Sequence, residues 1–131
     1  MLKFVKEHKL FTGIFILAAI IRFLPAFSYQ FSYDELCGLR NSIYPGWRQM
    51  IDYGVKLDTH PILVQLIINF TVKFFGYGEF WVKLPFLLFS LAAVIYAYLF
   101  SFKWFGKTPA LITAAVFSFS YIFLFYAPLA R

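Results

Sequence analysis

Two adjacent carboxylates are the side chains in this sequence best suited to acid–base chemistry. Asp34 and Glu35 end a long apolar stretch whose single internal charge is Arg22. On spacing alone such a pair is usually a solvated turn, and the functional alternative is a general base at a site that borders a membrane. We therefore predict Asp34 and Glu35 as candidate catalytic residues, with a solvated turn as the alternative.

Three basic side chains could bind an anion. His60 precedes Pro61, a position typical of a helix entrance, where free backbone N–H groups also favour phosphate. Arg22 and Arg131 lie near the ends of apolar stretches. Arginines at such positions usually extend to the lipid headgroups, and the alternative is contact with a lipid phosphate. Each residue thus has a plain structural interpretation beside an anion-binding one.

The composition identifies the class of protein that must position these residues. Of the 131 residues, 62% are hydrophobic and 14% are charged, against about 45–50% and about 25% in soluble domains. A soluble globule and a disordered chain are both excluded. The bases behind the net charge of +6 are scattered between apolar runs, which indicates membrane orientation rather than a nucleic-acid surface. Cys37 is the single cysteine, so an internal disulfide is excluded.

Three apolar stretches approach the roughly 20 residues that cross a bilayer. They predict transmembrane helices near 10–27, 84–102 and 108–127. Trp81 and Trp104 flank the second stretch, as tryptophans at membrane interfaces do. A cleaved signal peptide is the alternative for the first stretch, but its length and its internal arginine favour an uncleaved span.

A fourth apolar run, 61–75, is ambiguous. Its polar residues Gln65, Asn69 and Lys73 recur every four positions and therefore lie on one helical face. A short helix with one polar stripe fits the membrane interface better than a crossing. If this run crosses the membrane instead, the lysines that follow the second span move to the outside.

The distribution of lysines favours three spans. When 61–75 does not cross, five lysines fall in two short cytoplasmic segments, in agreement with the positive-inside rule. They are Lys3, Lys6, Lys9, Lys103 and Lys107. We predict an all-α integral membrane protein with about three transmembrane helices, a cytoplasmic N-terminus and external juxtamembrane amphipathic helices within 28–83.

The external segment predicts short helices rather than a linker. A helical pattern runs over 34–43, and the Pro-Gly pair at 45–46 ends it. A second short helix is predicted over 47–53. A third opens at 58–61, with a capping residue and a proline near its first turn.

Motifs for soluble nucleotides and for metals are missing from the sequence. It contains no glycine-rich phosphate loop, no metal-ligand cluster and no usable Ser/His/Asp arrangement. No cofactor is predicted, and a divalent metal is left open. A carboxylate, a histidine and several cations beside membrane helices suit a substrate that is itself a lipid phosphate.

The order of these features resembles a known family. Tyr33-Asp34-Glu35 follows the first span, Thr59-His60-Pro61 follows the amphipathic helices, and segments 82–85, 105–107 and 126–131 flank the later spans. This order resembles the N-terminal part of the GT-C membrane glycosyltransferases. It is most similar to the dolichyl-phosphate-mannose–protein mannosyltransferases and the bacterial aminoarabinose transferase of lipid A (glycosyltransferase family 39-like).

The resemblance implies an inverting transfer of a sugar from a polyprenyl phosphate to an acceptor on the outer side of the membrane. It implies that Asp34 accepts or orients the acceptor proton, with Glu35 as its acidic neighbour. It also implies that His60, Lys83 and Arg131 bind the donor phosphate, with Lys83 standing where relatives usually have arginine.

Members of that family continue through more spans. The chain is therefore expected to be the N-terminal membrane module of a longer protein of the bacterial inner membrane, and to be inactive alone. The expected partners are the polyprenyl-phosphate-linked sugar donor, an acceptor protein, lipid or glycan, and membrane lipids, without nucleic acid. A small non-catalytic accessory or assembly protein is the rival hypothesis. A transporter is weaker, because the predicted spans carry no acidic residue.

Overall fold

The computed structural model describes residues 8–27, 30–56, 61–127 and 129. These residues form helices and contain no β-strand, which confirms the all-helical prediction. The chain separates into two compact units. One unit combines Met1–Pro25 with Leu87–Pro128, and the other combines Ala26–Phe86 with Leu129–Arg131.

The described part of the chain contains seven α-helices and one π-helix. In chain order these are α1 (Lys9–Ala26), α2 (Tyr33–Ser42), α3 (Trp47–Gln49), the π-helix (Met50–Val55), α4 (Ile62–Phe75), α5 (Glu79–Phe105), α6 (Lys107–Phe119) and α7 (Tyr121–Tyr126).

Two of these helices, α1 with 18 residues and α5 with 27, are long and apolar enough to cross a membrane. Their apolar 18-residue windows are only 22% and 28% buried, whereas the core helix of a soluble protein is mostly buried. The predicted third span, 108–127, is divided at Ser120, which has an extended backbone (φ −62°, ψ 133°) between α6 and α7. A third transmembrane helix therefore stays a prediction.

The first unit is held by apolar packing of α1, α5 and α6. Phe11 of α1 stacks on Tyr98 of α5, with ring centroids 3.8 Å apart, and both are buried. Ala110 and Ala114 of α6 are also fully buried in this cluster. Their small side chains let the helix backbones approach closely, as is typical of membrane helix packing.

The second unit places α2, α4 and the first turns of α5 around a smaller core. Ile68 of α4 and Val82 of α5 are buried, and Phe31 and Leu39 pack against them. The π-helix lies close to α2, because a Cβ on Gly54 would stand 2.2 Å from the carbonyl oxygen of Asn41. Glycine is thus required at position 54 by the approach of two backbones.

Candidate active site

The helix that carries the predicted carboxylates begins with a capping box. Ser32 is the N-cap of α2, and its hydroxyl accepts a hydrogen bond from the Glu35 backbone N–H at 3.4 Å. The Glu35 carboxylate in turn accepts from the Ser32 backbone N–H at 2.8 Å. Two of the unsatisfied donors at the helix N-terminus are thereby paired. The start of α2, and with it the position of Asp34, is fixed locally.

The two adjacent carboxylates have opposite environments. Asp34 is exposed, whereas Glu35 is only 2% exposed. Successive residues of an α-helix point about 100° apart, so one side chain faces the core of the unit and its neighbour faces outward. Asp34 also lies in the first turn of α2, where the helix dipole favours a negative charge. Asp34 is therefore the accessible carboxylate of the two.

Lys83 of α5 is the buried counter-charge of Glu35. Its ammonium lies 3.8 Å from the Glu35 carboxylate oxygen Oε2 and donates to the Gln30 carbonyl oxygen at 3.3 Å. It also lies 5.4 Å from the ring centroid of Phe31, within the range of a cation–π contact. Lys83 is only 2% exposed, and these groups of the chain itself surround its ammonium.

A second α5 residue, one helical turn earlier, holds the same segment. The carboxylate of Glu79 accepts a hydrogen bond from the Phe31 backbone N–H at 3.3 Å. Residues four apart on a helix share one face. Glu79 and Lys83 therefore both form hydrogen bonds with the backbone at Gln30 and Phe31, immediately before the N-cap of α2. The first turns of α5 therefore support the residues that lead into α2.

The polar stripe of α4 binds the far end of α2. The Asn69 side-chain amide donates to the carbonyl oxygens of Ser42 and Tyr44, and the Lys73 ammonium donates to the Pro45 carbonyl oxygen at 3.2 Å. Gln65, on the same stripe, is fully buried. The Ser42 carbonyl is one of those that a helix leaves unpaired at its C-terminus, and the Tyr44 and Pro45 carbonyls lie in the segment that follows.

The orientation of α4 differs from that of a simple interfacial helix. The polar stripe faces the protein, and an apolar face is exposed on the other side. The exposed apolar residues of α4 are Ile62, Leu63, Leu66, Phe70, Phe74 and Phe75. The polar stripe faces carbonyl groups at and just after the end of α2.

Arg22 corrects a second expectation. It does not extend to the headgroups, because it is 2% exposed and all the acceptors of its hydrogen bonds lie within the first unit. Its Nε donates to the Ser90 hydroxyl at 2.9 Å, its Nη1 to the Ser118 carbonyl oxygen at 3.0 Å, and its Nη2 to the Phe117 carbonyl oxygen at 2.7 Å. Since α6 ends at Phe119, Arg22 satisfies carbonyls that the interruption at Ser120 leaves open.

The structure thus brings together part of the predicted site. Glu35 and Lys83 are paired, and Asp34 lies beside them on the outer surface of α2. His60 and Arg131, predicted for the donor phosphate, lie outside the described residues. Among the residues that are described, no group of three or more His, Cys, Asp or Glu side chains could hold a metal ion.

Sequence reasoning missed two features that the chain does signal. Ser32 and Glu35 have the Ser-x-x-Glu spacing of a capping box, which predicts that the glutamate turns inward to the backbone. Glu79 and Lys83 have the i, i+4 spacing of residues on one helix face. No local signal indicates that these two side chains reach back to residues 30–35, since that contact spans about fifty positions of sequence.

Comparison with known proteins adds a family assignment. A family model described as dolichyl-phosphate-mannose-protein mannosyltransferase matches residues 59–130, more than half of the chain. The matched region includes His60 and Lys83, while Asp34 and Glu35 precede it. Neither the curated proteins nor the solved structures give a significant match.

Proposed function

The chain belongs to the dolichyl-phosphate-mannose-protein mannosyltransferase family, and we propose that it takes part in a glycosyl transfer. In this reaction a sugar passes from a polyprenyl-phosphate donor to an acceptor on the outer face of the membrane. The observation that carries this proposal is the exposed carboxylate of Asp34, held at the N-terminus of α2 beside a buried ion pair. The family name favours a mannosyl donor and a protein acceptor, with a lipid or glycan acceptor as the alternatives.

In the proposed reaction, Asp34 accepts the proton of the acceptor hydroxyl. The acceptor oxygen attacks the anomeric carbon as the bond from that carbon to the phosphate oxygen breaks. The lipid phosphate leaves with the electron pair, and the configuration of the sugar is inverted. A positioned general base contributes about 10²- to 10⁴-fold to such a step, and its carboxylate must reach the acceptor, as the exposed position of Asp34 allows.

We propose His60 and Arg131 as the cations that stabilise the charge on the departing phosphate. Their support is the resemblance of the sequence motifs and the chemistry of the side chains. A direct phosphate contact by Lys83 has less support, because its ammonium is buried against Glu35 and Gln30. A catalytic role for Glu35 has less support for the same reason, since that carboxylate caps α2.

The proposed location is a bacterial inner membrane, with the N-terminus in the cytoplasm and the segment 28–83 outside. The lysine distribution supports this orientation. The outward apolar face of α4 fits a helix half-embedded in the membrane interface. A site that borders the bilayer is what a polyprenyl-phosphate substrate requires, since its lipid stays in the membrane.

The test compares two carboxylates of the second unit. Asp34→Asn removes the base and keeps the shape, while Asp52→Asn neutralises an exposed carboxylate that pairs with Lys56. Both variants are made in the native protein and assayed in membrane vesicles with polyprenyl-phosphate-mannose. We expect Asp34→Asn to lower the transfer rate at least about 100-fold, with normal membrane insertion, and Asp52→Asn to match the wild type.

A wild-type rate for Asp34→Asn would overturn the base role. If neither the wild type nor any variant transfers the sugar, while the protein is stably inserted and copurifies with another membrane protein, the accessory-protein hypothesis would replace the enzymatic one. Insertion is followed by carbonate extraction and membrane flotation, so that loss of activity is not confused with loss of protein.

A further inference from the structure

The backbone that leads into α2 is bound partly by side chains of another helix, α5. Residues 30–32 immediately precede α2, and their polar backbone groups are bound by side chains of two helices. Glu35 binds the Ser32 N–H from within α2, whereas Glu79 binds the Phe31 N–H and Lys83 binds the Gln30 carbonyl oxygen from α5. Four polar contacts therefore fix a three-residue segment next to Asp34, counting the Glu35–Lys83 ion pair.

We propose that Glu79 and Lys83 are positioning residues that hold Asp34 in place for transfer, and that they act through the backbone at residues 30–32 and through Glu35. This inference rests on the proposed function of Asp34. Glu79 has no assigned role in the predicted site, and Lys83 changes from a phosphate ligand to a support of the base. Neither side chain needs to touch the substrate.

Burial and charge support a positioning role over direct binding. The Lys83 ammonium is 2% exposed and has Glu35, the Gln30 carbonyl and the Phe31 ring around it. A phosphate could reach it only after these contacts had opened, which would leave the Glu35 carboxylate buried without its counter-charge. Opening a buried ion pair in this way is strongly unfavourable.

The expected consequence is a loss of turnover rather than of donor affinity. A displacement of about 1 Å at a reacting group can lower the rate about 100-fold. We expect Glu79→Ala and Lys83→Met each to lower kcat about 10- to 100-fold while the KM for polyprenyl-phosphate-mannose changes less than about 3-fold. Lys83→Arg and Glu79→Gln retain a donor and an acceptor respectively, and should recover most of the rate.

The chain offers a matched control in Lys56, an exposed residue directly after the π-helix that forms an i, i+4 ion pair with exposed Asp52 at 2.5 Å. Lys56→Met removes the same charge from the same unit and should leave kcat and KM unchanged. If Lys83→Met fails to fold because Glu35 is left uncompensated, the neutral pair Glu35→Gln/Lys83→Met keeps the test possible. Glu79→Ala, at a partly exposed position, is an independent route.

A double-mutant cycle separates positioning from other effects. If Glu79 acts through Asp34, then Glu79→Ala should lower the rate by less than about 2-fold in an Asp34→Asn background, because residues that act as a unit are not additive. A full additional loss in that background would overturn the proposal. So would a rise in donor KM with unchanged kcat for Lys83→Met, which would indicate a direct phosphate contact.

Hydrogen exchange distinguishes failure of this inference from failure of the proposed function. Loss of the Glu79 or Lys83 contacts should speed exchange of the Phe31 and Ser32 amides, whereas Lys56→Met should not. If Asp34→Asn transfers sugar normally, the proposed function is wrong whatever the exchange result. If Asp34→Asn is inactive while Glu79→Ala changes neither kcat nor exchange, the positioning role is wrong and the base role stands.

Discussion

At the scale of single residues, Asp34 and Glu35 show which properties of two adjacent carboxylates can be predicted from the sequence. The sequence predicts that carboxylates lie just after the first span, and the structure agrees. It does not predict which one is buried, because the burial of Glu35 depends on Lys83, 48 positions later. The missed capping box was the available local signal, since Ser-x-x-Glu directs the glutamate to the backbone.

Gly54 provides a residue-scale prediction. A Cβ at this position would stand 2.2 Å from the Asn41 carbonyl oxygen, so the π-helix and α2 must separate to accept it. We expect Gly54→Ala to destabilise the second unit by about 1–3 kcal/mol, the usual cost of overpacking. The measurement is thermal unfolding of the purified protein in detergent.

Gly13→Ala is the control for that substitution. A Cβ on Gly13 has no atom within 4 Å, and alanine is the better helix former by about 0.5–1 kcal/mol. Its unfolding temperature should stay level or rise. An equal loss for both substitutions would show that the close approach at Asn41 does not limit position 54.

At the scale of helices, the pattern of polar residues predicts α4 well, although not what its polar stripe meets. Asn69 and Lys73 could be assigned to one face from spacing alone. Their acceptors at Ser42, Tyr44 and Pro45 lie on another element, so periodicity carries no information about them. The interruption at Ser120 is likewise not visible in an uncharged, apolar stretch, because Arg22 supplies part of its stabilisation from a distant helix.

Arg22 gives the element-scale prediction. Arg22→Leu leaves the Phe117 and Ser118 carbonyls without their guanidinium partner. Each unsatisfied buried acceptor costs about 1–3 kcal/mol, so thermal stability in detergent should fall clearly. We also expect Arg22→Lys to be a poor substitute, because an ammonium lacks the planar fork that reaches two carbonyls and Ser90 at once.

Arg40→Leu is the appropriate comparison, since Arg40 is an exposed arginine of α2. Its replacement should change stability little. If Arg22→Leu were as stable as Arg40→Leu, the hydrogen bonds to the end of α6 would not contribute to the fold, and another cause for the break at Ser120 would be required.

At the scale of the whole molecule, helix length decides which segments can cross a bilayer. At about 1.5 Å per residue, α1 spans about 27 Å and α5 about 40 Å, against a hydrocarbon core of about 30 Å. By the same measure α4 spans about 21 Å and α6 about 20 Å. Both are about 10 Å shorter than the core, so a third span over 108–127 would require α6 and α7 in succession.

The topology prediction is tested by a reciprocal pair of cysteines in a Cys37→Ser background. With three spans, a cysteine replacing exposed Tyr77 should react with a membrane-impermeant thiol reagent in intact cells, and one replacing exposed Thr108 should be protected. Gly106, in the connection between α5 and α6, is not used for this purpose, because its positive φ of 84° disfavours any side chain. The opposite labelling pattern would mean that α4 crosses the membrane.

The partners of Arg22 also bear on how the protein is made. Phe117 and Ser118 follow Arg22 by 95 and 96 residues, and a ribosome adds about 5–20 residues per second. For about 5–20 s, then, the first helix has been synthesised while the carbonyls that receive its guanidinium have not. During that interval a cation within an apolar helix is best accommodated near water. Arg22 can therefore form these two hydrogen bonds only after the end of α6 has been synthesised, so the contact between the first helix and α6 is completed late.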